Sequence, residues 1–207
     1  MERLDLTKKY KAYYSAKPEP VVIEFPEAHY LSINGKGDPN SEMFVEKIQT
    51  LYPVAYGVKF LCKSKNKDFV VPKLEGLWWF DEKYLGQINL SDAPQRIPRS
   101  EWYWKLLIRM PDFVTPTLVS KAIEAVVAKK NLVQAKEVEF FTLPEQKVVQ
   151  VLHLGSFDKE PETLLLLQEF MNTNNLQHDG LHHEIYLSDF RKTASDKLKT
   201  ILREPIR

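Results

Sequence analysis

The strongest constraint in this sequence is an order of elements that occurs twice. VVIEF (21–25) and HYLSING (29–35) read as strands around a Pro26-Glu27-Ala28 turn, and Gly35 and Gly37 stop the second. Asp38-Pro39 offers a cap followed by a proline start, and Phe44, Val45, Ile48, Leu51 and Tyr52 then mark one face of a helix that Pro53 ends. AYGVKFLCK (55–63), FVVPKLEGLWWF (69–80) and, after a polar linker, EWYWKLLIRM (101–110) read as strands. Thr115-Pro116 opens a helix over 115–130, with Lys129-Lys130 suited to its negative end. The order then returns: VEFFTLP (138–144), VVQVLHLG (148–155), a helix opened by Glu160-Pro161, a polar loop and HHEIYLSD (182–189), with SDKLKTIL (195–202) read as a short closing helix. A shift of 118 residues pairs Pro26 with Pro144, Glu27 with Glu145 and Gly37 with Gly155.

This order predicts an α+β fold of two duplicated modules, about 20–112 and 136–190, linked by the helix 115–130. Together they make a single domain over 1–207, with residues 1–20 as an extended lead-in. Neither module has the residues for a large core of its own, so the two are expected to pack side by side, and a cleft between modules is a common ligand site.

Several classes are set aside by composition. A formal charge of +1 gives no electrostatic reason to expect nucleic acid or an anionic membrane, and the basic run KSKNK (63–67) reads as a solvated hairpin tip. No segment approaches the ~20 apolar residues needed to span a bilayer. The single cysteine, Cys62, excludes an intramolecular disulfide and reads as a buried thiol in a reducing compartment, so a cytoplasmic protein is expected, as a monomer or weak homodimer. His153, His178, His182 and His183 have no metal-ligand spacing, and neighbouring His182 and His183 on a strand point to opposite faces. No phosphate-cradling glycine loop or nucleophile elbow occurs, and no cofactor or metal is expected.

Two runs near the ends of the repeats carry the chemistry. In LEGLWWF (74–80) alternation places Glu75, Leu77 and Trp79 on one face and Leu74, Gly76, Trp78 and Phe80 on the other. In HHEIYL (182–187) Glu184 and Tyr186 share a face, away from His183, Ile185 and Leu187. Tyr56 is placed on a neighbouring strand, and Trp102 and Trp104 share a face of another. One reading is an aromatic-walled pocket with one or two glutamates, fit for flat, hydrophobic or cationic molecules. The other is that the tryptophans are core and the glutamates decorate an exposed face.

YLSINGKGDPNS, LYPVAYGVKF, PKLEGLWW, PDFVT and HHEIYLSDFRK together resemble the GyrI-like family of small-molecule-binding proteins, most of all its free-standing bacterial branch. The resemblance implies tandem β-α-β-β modules of the SHS2 type with a ligand cleft at a pseudo-twofold. Family relatives act as effector domains of multidrug-sensing regulators, where a glutamate matching Glu184 meets cationic aromatic drugs. No helix-turn-helix precedes residue 20, so a sensor-like domain alone is expected. Some free-standing members are cyclopropanoid hydrolases, which add water to the strained ring of DNA-alkylating toxins. By that likeness Glu184, helped by Glu75, activates water, and Tyr56 or Tyr186 donates to the oxygen that gains charge. Trp78, Trp79 and Trp104 are expected to hold the flat ligand. Binding of cationic or aromatic drugs without turnover is the alternative.

Overall fold

The structure, a computed structural model, describes residues 3–84 and 91–207. In chain order the elements are α1 (Leu6–Lys9), β1 (Val21–Phe25), β2 (Ala28–Lys36), α2 (Glu42–Lys63), β3 (Leu74–Trp79), α3 (Ala93–Arg96), β4 (Tyr103–Met110) and α4 (Pro116–Lys130). The second half adds β5 (Glu139–Leu143), β6 (Gln146–Leu154), α5 (Glu160–Thr173), β7 (His182–Tyr186) and β8 (Lys199–Pro205). The class is α+β, as expected. The eight strands of the described residues form one antiparallel sheet in the order β1-β6-β8-β7-β3-β4-β2-β5.

The two halves are joined by exchange of their first strands. β1 pairs with β6 of the second half, and β5 pairs with β2 of the first. Turn chemistry explains why neither pairs with its own neighbour. A two-residue hairpin loop needs positive φ at its centre, which Pro26-Glu27 and Pro144-Glu145 do not adopt. Each short strand therefore crosses to the other half and ends at a sheet edge.

Register makes the pseudo-twofold explicit. Gly76 lies beside Leu106, which lies beside Ile33. Glu184 lies beside Leu202, which lies beside Val151, the 118-residue counterpart of Ile33. Gly76 and Glu184 are thus equivalent positions, and they face one another where β3 meets β7. The axis passes between them.

One face of the sheet carries the helices. α2 buries Phe44, Ile48, Leu51, Val54, Ala55, Val58 and Cys62 against Leu31, Ile33, Trp104, Leu106 and Ile108. α4 lies on α2, where a Cβ on Gly57 would come within 3.3 Å of Ala122 Cβ, so the glycine permits the close crossing. Thr115 caps α4 by accepting from the Leu118 amide (3.4 Å), Pro116 opens it, and Asn131 ends it in the left-handed region. α5 buries Leu164, Leu167 and Met171 on Val149, Val151 and Leu202.

The other face is covered by the N-terminal segment. Asp5 caps α1 by accepting from Thr7 N (3.0 Å), and Leu4 is tied to Asp68 and Val70 through its backbone. Tyr13 and Tyr14 are buried on Phe25, Val148, Ile185 and Ile201. The expected extended lead-in is therefore a folded cover.

Two further expectations change. Residues 55–63 continue α2 instead of forming a strand, because the buried stripe runs on through Val54, Ala55, Val58 and Cys62. That burial offsets Pro53, whose cost inside a helix is ~3 kcal/mol. SDKLKTIL is not a closing helix: residues 199–205 are β8, an interior strand between β6 and β7 that is buried from Thr200 to Pro205. Each half has two strands before its long helix, as the order of elements predicts. Part of the polar linker, 85–90, lies outside the described residues.

Candidate functional site

A cavity of about 430 Å³ opens over the pseudo-twofold, between the N-terminal ends of α2 and α5. The symmetry that fixes Gly76 opposite Glu184 also makes Trp78 and Tyr186 counterparts, both on the helix-bearing face. They join across the axis: Trp78 Nε1 donates to the Tyr186 hydroxyl (3.2 Å). A Cβ on Gly76 would meet Trp78 Nε1 at 2.8 Å and the Tyr186 oxygen at 3.0 Å, so the bond needs glycine there.

Each of these rings anchors an aromatic wall. Trp78 stacks near Phe44 (5.9 Å, 24°) and meets Trp102 edge-on (6.0 Å), which in turn meets Phe80. Tyr186 meets Phe157 and Phe190 edge-on, at 6.1 and 5.4 Å. His153 sets the turn that carries Phe157: its Nε2–H donates to Ser156 O (2.9 Å), and Nδ1 shares a hydrogen bond with the Thr163 hydroxyl (2.8 Å).

The polar floor is a chain of charges. Glu184 Oε1 lies 3.3 Å from His182 Nε2, two residues back on the same face of β7. His182 Nδ1 meets the buried Glu204 carboxylate, whose other oxygen lies 3.0 Å from His178. Burial opposes a charge on His182, but Glu204 and Glu184 outweigh it and hold its pKa well above the usual histidine range. The same contacts hold Glu204 below the usual carboxylate value despite its burial. Burial, then the neighbouring Glu184, push the Tyr186 hydroxyl well up, so it stays protonated. Glu184 thus has an imidazolium on one side and a phenol on the other.

A second carboxyl reaches the cavity, and sequence reasoning had used it only as a helix start. Glu160 opens α5, lines the cavity, and leaves Oε1 buried with no hydrogen-bond partner among the described residues. Burial raises its pKa well above the usual value, and the negative charge of Glu184 adds to this.

The other expected site residues lie elsewhere. Glu75 is fully buried on the opposite face, where its Oε2 accepts from Tyr13 (2.5 Å) and from His183 Nε2 (2.9 Å). It is separated from the cavity by the sheet. Trp79 is on that face too, stacked on Tyr103 (5.7 Å, 13°). Trp104 is fully buried behind Phe44 and donates to Gly37 O (3.2 Å), supporting the wall without lining it. Tyr56, on helix α2 and not on a strand, is 46% exposed and lines a separate cavity of about 650 Å³ with Tyr52 and Lys73. Tyr186 and Phe190 form a wall common to both cavities. Cys62 is buried, and burial raises its thiol pKa. Among the described residues no group of three His, Cys, Asp or Glu could hold a metal ion, and no helix is long and apolar enough to cross a membrane.

Known proteins agree with this architecture. No curated protein matches the chain. A solved but uncharacterized conserved protein from Listeria innocua is 37% identical, with TM-score 0.87, covering 99% of this chain and 100% of its own. A hydrolase from Listeria innocua is 36% identical, with TM-score 0.84 and the same coverage. The C-terminal domain of EcmrR, at 15% identity and TM-score 0.55 over 91% of this chain and 97% of its own, shares the fold. Residues 112–207 match the GyrI-like small molecule binding domain. With a relative of this identity along the whole chain and the family match over its second half, the protein belongs to the GyrI-like small-molecule-binding family.

Proposed function

We propose that this protein is a small-molecule hydrolase that takes flat, electrophilic, cyclopropane-bearing compounds and opens the strained ring with water. The observation that carries the reading is Glu184. It is a carboxylate on the floor of an aromatic cavity, held by His182 and placed beside Tyr186. Trp78, Trp102 and Phe157 supply ring faces and edges for a planar ligand. Glu184 orients a water and takes its proton, the water oxygen bonds to a ring carbon, and the ring carbon–carbon bond breaks. Its electron pair passes to a conjugated oxygen of the ligand. Strain is already in the substrate, so modest general-base assistance is enough. The hydrolase from Listeria innocua, alike over the full length, supports a hydrolytic reading.

The test mixes the purified protein with a DNA alkylator whose cyclopropane is conjugated to a carbonyl, followed by mass spectrometry. A product heavier by one water, formed by the parent and lost in Glu184→Gln, is expected. Binding without product would leave a ligand-sequestering protein. That second reading has its own support in the two carboxyls, Glu184 and Glu160, inside an aromatic cavity, a setting that also suits an organic cation.

A further inference from the structure

The hydrolytic reading leaves one proton without a source, the one gained by the ligand oxygen as the ring opens. Tyr186 is engaged: its oxygen accepts from Trp78, and the hydroxyl sits beside Glu184. Tyr56 lines the other cavity. Glu160 lines the site, and its Oε1 is buried and bonded to nothing among the described residues. Backbone geometry holds it there, because it is the first residue of α5 and is followed by Pro161.

We infer that Glu160 is the proton donor of this site, giving its carboxyl proton to the ligand oxygen while Glu184 takes a proton from water. The inference rests on the hydrolytic reading above. Two carboxyls in one cavity divide the labour when their surroundings differ, one staying a base and the other keeping its proton. Here the surroundings do differ. Glu184 has His182 beside it, whereas Glu160 faces Glu184 and Tyr186 from β7 and Asp158 from the preceding turn, with His182 the cation that acts on it. Arg99, across the cavity, is turned to Asp38 and Asp158, at 3.7 Å from each. The step balances. The water oxygen–carbon bond forms, the ring carbon–carbon bond breaks, one proton goes from water to Glu184 and one from Glu160 to the ligand oxygen. A proton returned from Glu184 to Glu160 through cavity water restores both groups, and nothing is oxidised or reduced.

The experiment follows turnover of the cyclopropane alkylator by the parent, Glu160→Gln and Glu160→Ala from pH 5 to 9. Proton donors of this kind contribute ~10²–10⁴-fold, so both variants are expected to lose at least ~10²-fold in kcat, with KM moved only a few-fold. The alkaline fall of the parent's rate should disappear in both. A Glu160→Gln variant that keeps the parent's rate and its alkaline fall overturns the inference and leaves the hydrolytic reading intact. A parent with no turnover at all overturns both. A direct check on the unmutated protein is the ¹³C carboxyl shift of Glu160 in glutamate-labelled material. It should report a protonated acid at pH 6, and an ionised carboxylate there overturns the inference without any variant having to fold.

Discussion

Gly76 faces Glu184 across the central strand pair, and the space above the glycine is where the Trp78 indole reaches the Tyr186 hydroxyl. A duplicated fold puts equivalent positions opposite one another on its axis. Here the two halves have diverged at that point, one leaving room and the other supplying a carboxylate. Gly76→Ala should therefore push the two rings apart and narrow the approach to Glu184. We expect a stability loss of about 1–3 kcal/mol in thermal or denaturant unfolding, the range for overpacking a dense site. Ligand affinity should fall with it, read from tryptophan fluorescence on titration. A variant that binds like the parent would sink this account of the axis.

Glu75 should matter to folding and not to chemistry. Its carboxylate satisfies the hydroxyl of Tyr13 and the Nε2–H of His183 beneath the N-terminal cover. Glu75→Ala leaves the His183 Nε2–H buried without a partner, at about 1–3 kcal/mol, while the Tyr13 hydroxyl keeps Tyr30 at 2.6 Å. Denaturant unfolding should show that loss, while kcat per folded molecule stays within a few-fold of the parent. A large drop in kcat with stability preserved would put Glu75 back in the site.

Much of this was legible in the sequence, and the gaps have physical causes. Period-two alternation assigned Glu184 and Tyr186 to one face of their strand, because a strand allows no other arrangement. The same rule split Glu75 and Trp79 from Gly76 and Trp78. Nothing local said which of those faces opens into a cavity. The N-terminal segment settles it by burying Tyr13 and Tyr14 over Glu75, a contact between residues far apart in the chain. Tyr56 was misplaced because Pro53 reads as a helix end, whereas burial carries α2 through it. Glu160 was recognisable as a helix start, but its unpartnered oxygen is a tertiary fact. The strand exchange could have been anticipated from Pro26-Glu27 and Pro144-Glu145, which are poor two-residue hairpin loops.

The two tyrosines that looked alike in sequence should now behave differently. Tyr186→Phe removes the acceptor of the buried Trp78 N–H, costing about 1–3 kcal/mol in stability, and frees Glu184 from one of its two fixed neighbours. Turnover of the cyclopropane probe should drop at least ~10-fold. Tyr56→Phe, on the exposed side of α2, should change stability by no more than ~0.5 kcal/mol and leave turnover unaltered. Equal effects from the two substitutions would contradict the separation of the cavities.

Neighbouring histidines on β7 should titrate in opposite directions. His182 points to the cavity side, where Glu204 and Glu184 overcome its burial and raise its pKa well above 6.5. His183 points to the covered side, where burial dominates the hydrogen bond that it donates to Glu75 and the nearby Arg203 adds to the lowering. The raised group contributes stability that is complete below the unfolded value of about 6.5 and is lost as pH rises through its folded value. The lowered group works the other way, its neutral form favouring the fold above about 6.5 and weakening it as pH falls below that value. Ring-proton NMR separates the two directly: His182 should still be protonated at pH 7.5 and His183 should be neutral at pH 6.5. His182→Gln should remove part of the stability decline on the alkaline side without touching the acid side of the His183 contribution. Midpoints that coincide, or fall in the reverse order, would mean that Glu184 is not held by an imidazolium, and the electrostatic frame of the site would fall with it.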